Sequence, residues 1–179
     1  LAARAAEIVR ACGGTVSDAA QPAADALIVV TPLGEDTTHC AVEQGLDARR
    51  TVAIDLVFDG AGRRLLMGNP ALAPEWAAAA GALFAADGSA VDLVRDSAGL
   101  IAQRVVAHIV NIACEIAQQG IATPADIDRA VTLGLGYPHG PLAEILDTLQ
   151  DLTGDPRYRP STWLRRRARL GLSLLASEA

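Results

Sequence analysis

Residues 26–31, Ala26-Leu27-Ile28-Val29-Val30-Thr31, run apolar and β-branched without alternation, as a strand buried on both faces requires. A second such run, Thr51-Val52-Ala53-Ile54-Asp55-Leu56-Val57, follows a stretch that Pro32 and Gly34 open and that Asp36 or Thr37 can cap as a short helix to about Gly45. Strand, helix and strand make a βαβ unit. Ahead of it, 1–12 is Ala-rich and helical in pattern, and Gly13-Gly14 closes it. Behind it come a turn at Gly60-Ala61-Gly62, a short strand at Leu65-Leu66-Met67 and a turn at Gly68-Asn69-Pro70. A helix over about 74–86, stopped by Gly88, and a short strand at 91–94 complete this half.

Beyond Asp96 the period changes to that of helices alone. A long one over about 97–119 carries two apolar stripes, Ile101, Val105, Ile109, Ile112 and Ile116 beside Val106, Val110, Ala113 and Ala117, which predicts burial around most of its circumference. The remaining line, Arg104, His108, Asn111 and Glu115, reads as a solvent-facing or ion-paired face. Thr123-Pro124-Ala125-Asp126 supplies a capping hydroxyl, a proline at the first helical position and a carboxylate at the third, which starts a helix ending near Gly134. Further helices are predicted from Pro141, with Leu142, Ile145, Leu146, Leu149 and Leu152 in one stripe, and from about Ser161. The fold class is therefore α/β followed by all-α, with a partial Rossmann-like α/β domain at 1–95 and a helical domain at 96–179.

Composition narrows the chemistry. In 179 residues, 51% are apolar and the formal charge is −6, enough apolar matter for a core and no basic surface for nucleic acid. Every basic residue is Arg, which excludes Schiff-base lysines and a phosphate-loop lysine. Six of the arginines follow Asp155: the set Arg157, Arg159, Arg165, Arg166, Arg167 and Arg169 reads either as a binding surface for a phosphorylated ligand or an acidic partner, or as a solvated helix face. Cys12, Cys40 and Cys114 are too widely spaced for a metal motif, so no metal and a reducing, cytoplasmic location are expected. The longest apolar stretch, 76–86, falls short of the roughly 20 residues of a membrane span, so no membrane is expected. Trp76 and Trp163 read as core anchors. The opening at Leu1, inside a helical pattern, reads as a fragment of something longer.

Gly134-Leu135-Gly136-Tyr137-Pro138-His139-Gly140-Pro141-Leu142 holds three glycines in seven residues, but it follows a helix and spaces them as GxGxxxG, so it is not a dinucleotide fingerprint. Gly134, Gly136, Pro138, Gly140 and Pro141 read as turn and helix-start residues, with Tyr137 and His139 the side chains able to reach a substrate. With its neighbours, the loop resembles a known family. Asp96-Ser97-Ala98-Gly99-Leu100-Ile101-Ala102-Gln103-Arg104, then 120–128, then 134–142 and Asp147, resembles in order and spacing the C-terminal helical domain of 3-hydroxyacyl-CoA dehydrogenases. The Arg-rich end, 158–165, is similar to the tail of long members that carry two such domains.

That resemblance implies oxidation of a 3-hydroxyacyl-CoA to the 3-ketoacyl-CoA with NAD, in which a His takes the hydroxyl proton and a Glu orients it. The family's H-F-F-N-P motif aligns with Leu66-Met67-Gly68-Asn69-Pro70, so Leu66 stands in the place of the His and Ala78 or a neighbour in that of the Glu. Gln103 stands where the family has Asn, and is a candidate substrate contact with Tyr137, His139, Arg165 and Arg166. The implied reading is a second, degenerate copy within a parent dehydrogenase, without catalytic residues of its own. NAD is expected in the parent and no cofactor in this segment, which would serve the acyl-CoA pocket or dimerisation. A homo-oligomer, or packing against an upstream copy, is implied. The alternative is a non-catalytic interaction or dimerisation module without a ligand.

Overall fold

The computed structural model describes residues 1–17, 19, 21–56, 62–123, 126, 127, 130 and 162–170, with 163, 164, 167 and 168 described by their backbone only. Two compact units divide it, Leu1–Gln103 and Arg104–Ala179.

In the first unit the β-branched runs form two neighbouring strands of a four-stranded sheet in the order β1-β2-β3-β4, with β1 Ile28–Val30 at its edge, β2 Thr51–Ile54, β3 Arg63–Gly68 and β4 Ala90–Arg95. β1 and β2 are parallel, joined by helix α2 (Thr37–Glu43) as the βαβ pattern predicts. β2 and β3 are antiparallel, with Ile54 opposite Leu66, and β3 and β4 are parallel across helix α3 (Pro74–Ala85). Helix α1 (Ala2–Ala11) ends before Gly13, whose φ of 81° lies in the left-handed region that favours glycine.

Alternation along the strands sorts side chains between two cores. Val52, Ile54 and Leu66 pack with Ala5 and Ile8 of α1, Cys12 just beyond it, and Ala80 and Phe84 of α3. Ala53 and Met67 point the other way, toward Cys40 of α2, Ile28, Val30 and Leu100. A single-residue slip of β3 would exchange Leu66 and Met67 between these cores, so register is specified by burial on both faces.

In the second unit every described element is helical. Helix α4 spans Ile101–Gln118 and crosses from one unit into the other. It begins four residues later than the sequence pattern suggests, after Gly99 in a left-handed turn (φ 69°). Its burial also departs from the predicted stripes. The buried positions are Gln103, Val106, Ala107, Asn111 and Cys114, whereas Ile101, Val105 and Ile112 are exposed at 52%, 46% and 56%. The amphipathic period is present but the buried line carries polar amides, because Gln103 finds main-chain partners that a hydropathy pattern does not register. The expected cap is formed: the Thr123 hydroxyl accepts from Asp126 N at 3.2 Å and donates to its carboxylate at 2.6 Å. Helix α5, Thr162–Leu170, agrees with the helix predicted from about Ser161.

Candidate functional site

Leu66 sits at the centre of β3 with no exposed surface, enclosed by the α1 and α3 side chains named above. The position that the sequence resemblance would set against the family's proton acceptor is an apolar core position. Ala78 on α3 is exposed. Next along the motif, Gly68 leaves room that Leu72 takes: a Cβ at 68 would come within 2.7 Å of Leu72 Cδ2. Asn69 keeps a structural task, its amide donating to the carbonyls of Ala48 (2.8 Å) and Thr51 (3.0 Å) while its Oδ1 accepts from Ala71 N (2.8 Å). It holds the turn that ends β3 against the start of β2.

Doubly wound sheets take their ligands beyond the carboxyl ends of parallel strands, here the ends of β1 and β2. Gln103 is 1% exposed at this edge: its Oε1 accepts from Gly34 N at 2.9 Å, and its Nε2 donates to Pro32 O at 3.1 Å and Asp55 Oδ1 at 3.4 Å. The amide nitrogens at the start of α2 are likewise engaged. Asp96 accepts from Thr37 N (2.8 Å) and Thr38 N (3.0 Å), and Asp36 accepts from His39 N (2.6 Å). Pro32 has no N–H to offer. A dinucleotide pyrophosphate needs free backbone donors at a glycine-rich turn, and this donor set does not fit one.

Beside the carboxylates of Asp36, Asp55 and Asp96, the groups near that edge with acid–base chemistry are Glu35, His39 and Cys40. His39 Nε2 lies 4.0 Å from Glu35 Oε1, both partly exposed, and Cys40 Sγ donates to Glu35 Oε2 at 3.3 Å. Burial, followed by the hydrogen bond to Glu35 and the carboxylates of Glu35, Asp36 and Asp96, pushes the Cys40 thiol up to about 12. It stays protonated near neutral pH and is no nucleophile. Cys12, Cys40 and Cys114 are all buried thiols, and no group of three His, Cys, Asp or Glu among the described residues could hold a metal ion. At the far side of the sheet Arg64 donates to Asp87 (2.5 Å) and to Phe84 O (2.6 Å), holding the Asp87 carboxyl well below the usual carboxylate range and clamping the end of α3 to β3.

Of the residues proposed from sequence, Gln103 is placed at the strand edge. Arg165 and Arg166 are exposed on α5 with Arg169. Tyr137, His139, Gly134, Gly136, Pro138, Gly140 and Pro141 lie outside the described residues. Sequence reasoning missed the Asp96 contacts, which only the Asp-Ser-Ala-Gly stretch before α4 could have signalled as a connection rather than a helix start. Among the described residues, no helix is long and apolar enough to cross a membrane.

Residues 99–176 match the family described as the 3-hydroxyacyl-CoA dehydrogenase C-terminal domain. The chain is 34% identical over 158 residues to a 3-hydroxyadipyl-CoA dehydrogenase of Escherichia coli K12, covering 82% of this chain and 32% of that protein. It is 33% identical over 89 residues to a probable 3-hydroxybutyryl-CoA dehydrogenase of Bacillus subtilis, covering 44% and 31%. The chain thus spans about a third of the length of these curated relatives. Among solved structures, a 3-hydroxybutyryl-CoA dehydrogenase of Escherichia coli K12 superposes with a TM-score of 0.64 at 29% identity, over 87% of this chain and 35% of that one. An (S)-3-hydroxybutyryl-CoA dehydrogenase from Ralstonia eutropha shares the fold with a TM-score of 0.72 at 19% identity, over 100% of this chain and 68% of that one. Residues 99–176 thus form a domain of the 3-hydroxyacyl-CoA dehydrogenase C-terminal family, and the chain is similar over 158 residues to a dehydrogenase of this kind.

Proposed function

We propose that this chain is part of an NAD-dependent enzyme that oxidises 3-hydroxyacyl-CoA to 3-ketoacyl-CoA, and that it is the degenerate copy of a two-copy protein. Its helical half serves the acyl-CoA pocket or the packing of copies, and the hydride and proton transfers belong to the other copy. The observation that carries this reading is Leu66, an aliphatic side chain buried in the α1/α3 core where the family's base would stand. A proton acceptor has to reach the substrate hydroxyl, and this position can neither accept a proton nor reach one. The engaged donors after β1, at Gly34, Thr37 and Thr38, support placing NAD in the parent enzyme and outside this segment. Within the helical half, Arg165 and Arg166 supply the positive charge for the CoA phosphates, with Tyr137 and His139 toward the acyl chain.

The test is to incubate the whole chain with NAD and 3-hydroxybutyryl-CoA while following NADH absorbance, and to titrate it with the acyl-CoA. No NADH is expected, and saturable acyl-CoA binding is expected to weaken at least about tenfold in Arg165→Ala/Arg166→Ala, as loss of charge-assisted phosphate contacts dictates. Turnover at rates ordinary for a dehydrogenase, roughly 1 per second or faster, would end the degenerate reading.

A second reading, a dimerisation or interaction module without a ligand, has its own observation in the exposed line Ile101, Val105 and Ile112 along α4. Apolar side chains aligned along one helix in this way favour a packing partner. Under that reading, sedimentation velocity shows a concentration-dependent dimer, Val105→Asp/Ile112→Asp sediments as a monomer, and acyl-CoA does not bind. A monomer at every concentration overturns it.

A further inference from the structure

The segment 96–103 is fastened to the loop that follows β1, to the start of α2 and to Met67 of β3. Asp96 accepts from the amides of Thr37 and Thr38 and from the Thr38 hydroxyl. Ser97 N donates to Met67 Sδ at 3.3 Å, and Gly99 N donates to Glu35 O at 3.0 Å. Leu100 is fully buried with Ile28, Val30, Cys40, Ala53 and Met67. Gln103 closes the far end on Gly34 N, Pro32 O and Asp55. Five main-chain groups between β1 and the first turn of α2, Pro32 O, Gly34 N, Glu35 O, Thr37 N and Thr38 N, are therefore partnered by one segment about 60–70 residues away, and that segment ends as the first turn of α4.

We propose that residues 96–103 are a latch: they bind the first turn of α4 to the loop after β1, so that loop and turn open and close as one cooperative unit, apart from the sheet. Gln103 is the bolt. Its side chain bridges a donor and an acceptor two residues apart, at Gly34 and Pro32, and the fit depends on its length, because asparagine is one methylene shorter. An acceptor group on any molecule that took the Gly34 N–H would have to displace this amide and would free the start of α4 in the same step. The edge of the parallel strand pair and the helix entering the second unit are thus two ends of one device. The latch belongs with the α/β unit, so the boundary between the two halves falls inside α4 after Gln103. This inference stands on the hydrogen bonds alone and holds under either functional reading above.

Amide hydrogen exchange on the whole chain, followed residue by residue under increasing mild denaturant, tests it without reference to activity. The amides of Gly34, Thr37, Thr38 and Gly99, and those of 105–107 in the next turn of α4, are expected to share one opening free energy, below that of Val52, Ala53 and Ile54 in β2. In Gln103→Asn, exchange at Gly34 and at 105–107 is expected to rise together by about tenfold or more, as loss of a buried hydrogen bond dictates, with β2 unchanged. A rise at Gly34 alone, unchanged exchange at both places, or separate opening energies for the loop and for 105–107 in the unsubstituted chain would each overturn the proposal. If Gln103→Asn does not fold, the unsubstituted chain still decides through those opening energies.

Discussion

Replacing Leu66 with histidine is expected to cost about 4 kcal/mol of stability and to restore no dehydrogenase activity. Leu66 has no exposed surface and packs among Ala5, Ile8, Cys12, Val52, Ile54, Ala80 and Phe84. Removing a buried leucine forfeits about 2–3 kcal/mol of apolar burial, and an imidazole in that core has no hydrogen-bond partner for its ring nitrogens, a further cost of about 1–3 kcal/mol. The sum is a large share of the roughly 5–15 kcal/mol by which domains are stable. A urea titration should show the midpoint falling with little change in slope. Because the core disfavours the charged ring, the folded state binds its proton less readily than the unfolded state. Stability therefore falls further as pH drops below the ordinary imidazole range. Activity stays absent, since no carboxylate stands at Ala78 and the strand-edge donors remain engaged. A Leu66→His protein as stable as the parent, or one that reduces NAD, would show that position 66 opens to a cleft, and the degenerate reading would fall with it.

The same residue shows what the sequence carries and what it does not. The unbroken apolar runs at 26–31 and 51–57 announce parallel strands because both of their faces are buried, and Val52 and Ile54 on one face with Ala53 on the other bear this out. The expected helix over about 74–86 also stands, since Pro74 opens it at the first helical position and Phe84 anchors its last turn. What stays hidden is pairing between distant backbone atoms. Asp96 reads as a helix-flanking acid, yet it caps α2 from 59 residues away. The start of α4 was legible as amphipathic, but its buried side follows Gln103 and Asn111 as much as its isoleucines. A hydropathy period counts apolar residues and cannot see an amide whose partners are the main chain of a loop.

Arg50 is the other position whose substitution should be felt strongly, and its role follows from burial. Its side chain is largely enclosed where β2 begins, and its guanidinium donates to the carbonyls of Ala23, Ala26 (2.6 Å) and Pro22 (3.5 Å) and to the Asp47 carboxylate (3.2 Å). The loop leading into β1 is thereby drawn onto the start of β2, and one planar cation with donors fanned in fixed directions satisfies several acceptors at once. In Arg50→Ala those carbonyls lose their charged donor and Asp47 its partner. Hydrogen bonds to a charged group contribute about 1.5–3 kcal/mol, and the exposed side of Asp47 adds little, so a loss of about 3 kcal/mol is expected in chemical denaturation. Arg50→Lys should recover less than half of it, because a single ammonium cannot span carbonyls on both sides of the loop. The damage should also be local first, with faster amide exchange at Ala26 and Ile28, near the start of β1, than at Val52 in the neighbouring strand. If both variants stay within about 0.5 kcal/mol of the parent, as surface substitutions do, the guanidinium is not what holds the loop to the sheet.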